Sequence, residues 1–295
     1  MKINSITQLC ALSLGIFLIC STSAYAQTHA TPPQLQIETI KTPAITSRTV
    51  ILDELAKADV VYLGETHNNP DDRKGQLEIL QQLEQRNPKI AIAMEMFQRP
   101  YQSIIDRYLA GEITEAELIQ QTEYEKRWGF PWESYAPLLR FAKENQLPVL
   151  ALNTPTEITR KVARYGLESL TLEEQKQIPP LTEIKTDNPG YRQMLEEIYA
   201  QHQQGNQGNS TSFERFFSAQ VLWDETMAET IAQFITANPD YQVIAIAGKG
   251  HIIYGYGIPS RVARRINTPD FLQHSVFFGN TEAGKLVREA DFFWE

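Results

Sequence analysis

Four short apolar runs punctuate this chain of 295 residues: Asp59–Gly64, Ile90–Met96, Pro148–Asn153 and Gln242–Gly248. Each is continuous rather than alternating and rich in branched or small residues, the pattern of a strand buried on both faces. Stretches of helical periodicity separate them, which predicts an α/β fold with a mostly parallel, layered sheet. A further strand near Ser275–Phe278 and the tail Phe292–Trp294 are expected to finish the sheet's edge. Residues 27–48 read as an irregular arm, with an edge strand at Leu35–Ile40.

The helices carry their own start and stop signals. Asn69 is a good N-cap, Pro70 suits the first helical position, and Asp71 and Asp72 complement the positive end of the helix dipole. Leu77, Leu80 and Leu83 give that helix a buried stripe, and Asn87-Pro88 stops it. Between the third and fourth core strands lies a large helical excursion, Thr156 to Asn238. Within it, Ile178–Pro189 and Gln203–Ser210 have the composition of loops, and Thr211 with Glu214 forms a capping box that opens a long helix. No internal repeat is present.

Residues 1–26 read as a secretory signal: Lys2 is the leader's single charge, Leu9–Cys20 is the apolar stretch, and Ala24-Tyr25-Ala26 supplies a peptidase site before Gln27. No stretch reaches the roughly 20 apolar residues of a membrane span, so a soluble, exported, periplasmic or envelope-associated protein is expected. Residues 27–295 would then be one domain. Ile19 and Leu18 before Cys20 make a poor lipidation signal. Both cysteines, Cys10 and Cys20, lie in the leader, which excludes disulfides, thiolate catalysis and cysteine-based metal sites from the remainder. Loss of Lys2 with the leader would take the formal net charge from −9 to −10, an acidic balance that argues against nucleic acid or anionic lipid as partners.

Each core strand ends in unusual residues. The first runs into Gly64-Glu65-Thr66-His67, the second into Glu95-Met96-Phe97, the third into Asn153-Thr154-Pro155, and the fourth into Gly248-Lys249-Gly250-His251. Carboxyl ends of neighbouring parallel strands share one crevice, so two copies of Gly-x-x-His at two such ends suggest one site. The plain alternative is that His67 caps a turn and Glu65 neutralises a helix N-terminus. Glu95, at the end of an apolar strand, needs a partner. His67, a metal and a buried ion pair with Arg99 are the options.

Five aromatics crowd Tyr124–Tyr135. Tyr135, Leu138, Leu139 and Phe141 form a helix stripe, whereas Gly129 and Pro131 place Trp128 and Trp132 near a turn, where they either join the core or wall a flat apolar ligand. Gln220 and Asp224, one turn apart on the long helix, either anchor it to the sheet or face the site, and anchoring is the expectation. After His251, glycines flank Tyr254 and Tyr256. A phenolate suits ferric iron and is a known axial ligand of haem, and Lys249 or His251 could meet its propionates. The alternative is a glycine-rich turn with packed tyrosines.

As an ordered set, these residues resemble the ChaN-like haem-binding uptake proteins, a branch of the superfamily that also holds the Tiki metalloproteases and erythromycin esterases. The likeness covers most of Val60–Pro259 and rests on Gly64-Glu65-Thr66-His67, Ala93-Met94-Glu95, Trp132 with Tyr135 and Pro137, and Asn153. It continues through Ala219-Gln220, Trp223-Asp224, Met227-Ala228, Gly250-His251 and Gly257-Ile258-Pro259. The resemblance implies haem held between two monomers, with a tyrosine from one on the iron and a histidine and lysine from the other on the propionates. Carried over, the ligand is Tyr254 or, second, Tyr256, with Lys249 and His251 at the propionates and a homodimer as the assembly.

The wider superfamily implies a hydrolase, in which Glu65, His67, Glu95 and His251 position a water or hold a divalent metal such as zinc. Asp72-Arg73-Lys74 stands where family members often carry further histidines, which weakens a multi-histidine metal site. The expectation is a haem-binding protein of iron uptake, exchanging haem with an outer-membrane receptor. Its rivals are the hydrolase and an envelope-binding module whose strand-end residues are structural.

Overall fold

Six parallel strands form one sheet in the order β3-β2-β4-β1-β5-β6. The computed structural model describes residues 47–204, 212–266, 268–279 and 289–295, and these described residues fall in one compact unit. In chain order the elements are α1 (Arg48–Leu55), β1 (Val60–Glu65), α2 (Pro70–Glu84), β2 (Ile90–Gln98), α3 (Gln102–Leu109), α4 (Glu115–Gln121), α5 (Tyr124–Arg127) and α6 (Ala136–Glu144). They continue with β3 (Val149–Asn153), α7 (Thr156–Tyr165), α8 (Leu172–Gln175), α9 (Pro189–Gln204), α10 (Phe213–Ala237), β4 (Gln242–Gly248), α11 (Ile258–Arg265), β5 (Gln273–Phe278) and β6 (Phe292–Trp294). The leader with Cys10 and Cys20, the Leu35–Ile40 edge strand and the arm to residue 46, residues 205–210 of the second loop, and Thr211 of the capping box lie outside the described residues.

The continuous apolar strands are explained by helices on both faces. Side chains two apart point the same way, so Val61, Leu63, Ile92, Met94, Ile244 and Ile246 pack with Ile51 and Leu55 of α1, Ile79 and Leu80 of α2, and Leu138 and Leu139 of α6. The intervening Val60, Tyr62, Ala91, Ala93, Val243 and Ala245 meet Met227, Ala228 and Ile231 of α10 and Ile258 and Val262 of α11. Among the described residues, no helix is long and apolar enough to cross a membrane.

The start of α2 follows its sequence signals. The Asn69 side chain accepts the Asp71 N–H at 3.1 Å, and Pro70 opens the helix. Ile79, Leu80 and Leu83 are buried, with Leu77 only partly so, and the helix closes at Gln85, ahead of Asn87-Pro88. Ile178–Pro189 is loop with a single 3-10 turn at Leu181–Glu183, while α9 runs on to Gln204, into the expected second loop. The N-cap of α10 is Ser212, whose side chain makes no capping bond.

Two features position the site. Strand β4 lies between β1 and β2, so the turns after β1 and β4 and the end of β2 are neighbours although far apart in sequence. The pairing of β2 with β3 also shifts register between Met94 and Gln98, the stretch holding Glu95. Such irregularities re-aim side chains beside functional sites.

Candidate functional site

Both Gly-x-x-His motifs end at the same crevice, and each histidine is oriented by a buried carboxylate. After β1, the chain turns so that His67 Nδ1 donates to Glu65 Oε1 at 2.7 Å. The fully buried Glu65 side chain also accepts from the Tyr135 hydroxyl at 2.6 Å and Gln76 Nε2 at 2.8 Å, with Arg73 Nη1 3.6 Å away. These donors satisfy a charge that burial would otherwise penalise heavily. Glu65 is thus a fixed acceptor for His67. The N-terminus of α2 is capped instead by Asn69, and Asp72 in its first turn accepts the Thr66 N–H at 2.7 Å, which braces the turn after β1. The rings of Trp128 and Phe130 lie 4.9 and 5.0 Å from the His67 ring, and the imidazole is 29% exposed, so its free face remains reachable.

After β4, His251 Nδ1 donates to Asp224 Oδ1 at 2.6 Å, and Gln220 Nε2 lies 3.0 Å from the same nitrogen. Asp224 is fully buried and accepts the Tyr191 hydroxyl on its other oxygen. The second nitrogen of His251, Nε2, is 3.5 Å from Glu95 Oε1. Burial opposes a charge on His251, but Glu95 and Asp224 together outweigh it and push the imidazolium up to about 10. Glu95 is likewise buried, and His251, His67 and the Gly248 N–H, which donates to Oε2 at 2.7 Å, hold it below the ordinary carboxylate range.

The two motifs meet at the tip of β4. A Cβ at Gly248 would stand 2.9 Å from His67 Nε2 and 3.7 Å from Glu95 Oε2, so the histidine following β1 reaches across to β4 over a residue whose side chain would push the imidazole aside. The Arg99 partnership considered for Glu95 does not form: Arg99 pairs with Glu229 at 2.7 Å. Nor do Gln220 and Asp224 serve only as anchors, because both contact His251 and Gln220 lines the crevice. Among the described residues, no group of three or more His, Cys, Asp and Glu side chains is arranged to hold a metal ion. A protonated His251 offers no lone pair to a cation.

Above this floor opens a cavity of about 1030 Å³, at the upper end of the ~300–1,000 Å³ usual for small-molecule sites. Its walls are Trp128 and Phe130 on one side, Leu195, Ile198 and Tyr199 of α9, and Phe216 and Trp223 of α10. Arg160 and Arg164 of α7 and Lys249 also line it. Trp128, and Asn153 which also lines the cavity, carry buried polar atoms, Nε1 and Oδ1, without a partner among the described residues.

The other sequence candidates divide. Trp128 walls the cavity, whereas Trp132 is core, packed against Phe97 and Tyr124 with its Nε1 donating to Glu115 at 2.8 Å. Lys249 lines the cavity, its Nζ 5.3 Å from the Phe277 ring centre. His251 lies at the cavity floor, but three side chains already engage its ring. Tyr254 and Tyr256 line a separate crevice of about 330 Å³, with Tyr62, Gln273, His274 and Ser275. Tyr254 is held there in a left-handed conformation, φ 56°, its N–H donating to the Glu289 carbonyl at 3.0 Å. Tyr199, Phe130, Arg160 and Arg164 were not singled out from the sequence. The α7 arginines had a detectable signal, four-residue spacing on an amphipathic helix.

A model of a protein family described as haem-binding uptake, Tiki superfamily, ChaN matches residues 51–262. Among solved structures, the chain is similar to ChaN of Campylobacter jejuni, whose structure shows cofacial haem binding. The TM-score is 0.64 at 20% identity, over 84% of this chain and 91% of that one. It is also similar, at a TM-score of 0.47 and 13% identity, to an erythromycin esterase in its open conformation, over 78% of this chain and 72% of that one. A curated relative is the chloroplastic Protein RETICULATA-RELATED 5 of Arabidopsis thaliana, 26% identical over an alignment of 271 residues, with 83% of this chain covered. The match spans only 35% of that plant protein's length.

Proposed function

The chain belongs to the haem-binding uptake family of ChaN, in the Tiki superfamily, and on that premise we propose that it is an exported protein that binds haem during iron acquisition. The observation that carries this reading is the chemistry of the large cavity. Haem presents a flat apolar face, two carboxylates and a Lewis-acidic iron. The cavity presents aromatic walls at Trp128, Phe130, Phe216 and Trp223, cations at Arg160, Arg164 and Lys249, and a phenol at Tyr199. Bound there, the iron would gain a hard anionic oxygen ligand of the kind ferric haem accepts.

Tyr199 is therefore the first candidate for the iron. Tyr254 stands in the other crevice and serves if two copies associate, so that a tyrosine of one meets a haem seated in the other. The leader supports export, and a mature chain beginning at Gln27 is expected from N-terminal sequencing of protein recovered from the cell envelope. Exchange of haem with an outer-membrane receptor is the corresponding role.

Titration of the purified chain with ferric haem tests the reading. A tyrosinate-type spectrum, lost in Tyr199→Phe and kept in Tyr254→Phe, is expected for the one-copy site. Loss in Tyr254→Phe, together with haem-dependent dimerisation, would assign the two-copy arrangement. A free-haem spectrum at all concentrations would overturn it.

One observation favours a second reading, a water-activating hydrolase. His67 and His251 each have Nδ1 on a buried carboxylate, and both border Glu95. In that reading His67, oriented by Glu65, takes a proton from water, and the cationic His251 steadies developing negative charge. Ester or amide hydrolysis abolished by His67→Ala would support it, and its absence against a panel of esters would remove it.

A further inference from the structure

Arg160 and Arg164 differ from the arginines that this acidic chain pairs with its own carboxylates. Arg73, Arg99, Arg127, Arg261, Arg264 and Arg265 each stand within 4.0 Å of a carboxylate. Arg160 has no ion-pair or hydrogen-bond partner among the described residues, and Arg164 only overlies the ring of Tyr165 at 5.9 Å. Glu157, one turn before Arg160, is already taken by Arg127 at 2.9 Å. The two arginines sit one turn apart on α7 and so project from one side of it, and both line the large cavity together with Thr156, Thr159 and Ala163 of the same helix.

Excess cationic charge on a cavity wall raises the local concentration of anions, and a guanidinium fork matches a carboxylate in a way an ammonium does not. The acids of the cavity do not offset the pair. Glu65 and Glu95 lie at the floor, each hydrogen-bonded to other groups. The rest of the lining includes the aromatic rings of Trp128, Phe130, Tyr199, Phe216 and Trp223. A ligand that satisfies both surfaces is a broad apolar body with carboxylates along one edge.

We propose that Arg160 and Arg164 form a carboxylate clamp that selects the free-acid form of the porphyrin bound in the large cavity. This rests on the haem reading and deepens it: the propionate contacts move from Lys249 and His251 to helix α7. The clamp acts on the carboxylates alone, so it operates without iron and independently of the tyrosine ligand.

The test is a set of absorbance and fluorescence titrations with ferric haem, metal-free protoporphyrin and the dimethyl ester of each. The native chain is expected to prefer each free acid over its ester by about tenfold or more, about 1.4 kcal/mol per tenfold. Arg160→Ala with Arg164→Ala should erase that preference by weakening the acids while leaving the esters unchanged. Arg160→Lys with Arg164→Lys should restore part of it, with a steeper salt dependence. If the native chain binds haem but the double alanine variant binds free acid within twofold of native, the clamp is wrong and haem binding stands. A loss of acid and ester to the same extent also refutes it. A native chain that binds neither porphyrin overturns the clamp and the haem reading together.

Discussion

His251 Nε2 and Glu95 Oε1 face each other at 3.5 Å across the tips of adjacent strands β4 and β2. With Asp224 on the opposite nitrogen, the imidazole is bracketed by two carboxylates, which is why it stays charged despite burial. Glu95→Gln removes one bracket while nearly preserving shape. The His251 pKa, followed by NMR of the imidazole nitrogens, should fall from its raised value toward the ordinary 6.5. An unchanged titration would mean that Asp224 alone sets it.

The same pair makes stability depend on pH. The His251 pKa is raised in the folded state, to about 10 from 6.5, so its contribution is complete below 6.5 and lost as pH climbs through about 10. The Glu95 pKa is depressed, so its contribution is complete above its ordinary 4.5 and lost as pH falls through the depressed value. Thermal unfolding of the native chain and His251→Asn should therefore differ most near pH 5–6.5 and converge toward pH 10. A gap independent of pH would show that His251 is neutral when folded.

The glycines that open the two motifs are required by packing. A Cβ at Gly64 would overlap the Phe277 ring, and one at Gly248 would crowd His67. Gly250, inside the second motif, has open space around its missing Cβ. Gly64→Ala should cost about 1–3 kcal/mol, and Gly248→Ala should displace His67 and disturb ligand binding. Gly250→Ala should change the melting temperature little. Equal tolerance at Gly64 and Gly250 would contradict the close approach of β5 to β1.

Two buried tyrosines offer a paired test of the Glu65 network. The Tyr135 hydroxyl donates to Glu65 at 2.6 Å, while the buried Tyr124 hydroxyl has no partner among the described residues. Tyr135→Phe strips a donor from a buried charge and should cost about 1–3 kcal/mol, whereas Tyr124→Phe should be neutral or stabilising. The reverse order, measured by denaturant unfolding, would place the hydrogen bond on the wrong ring.

The strands were legible because burial on both faces leaves a continuous apolar run, and the cap of α2 because Asn69-Pro70 states it locally. The convergence of His67 and His251 followed from parallel strands ending together. What local patterns did not yield was lateral: Glu95's real partner depends on β4 lying between β1 and β2, an order no single segment encodes. The same holds for Asp224, whose bond to His251 depends on how α10 crosses the sheet, and for the division between Trp132, which joins the core against Phe97, and Trp128, which walls the cavity: their shared turn-like segment left both roles open to each. Tyr199 and the α7 arginines belong to walls that exist only once the helical excursion folds over the strand tips.

Filling the cavity tests most directly whether it is the haem site. Ala163, on α7 between the two arginines, lines it, and Ala163→Trp places an indole in that space, while Ser275→Trp does the same in the crevice of Tyr254. Haem affinity by Soret titration should collapse in Ala163→Trp, with the melting temperature retained, and persist in Ser275→Trp. Undiminished binding in Ala163→Trp, with loss in Ser275→Trp, would contradict the assignment of haem to the large cavity.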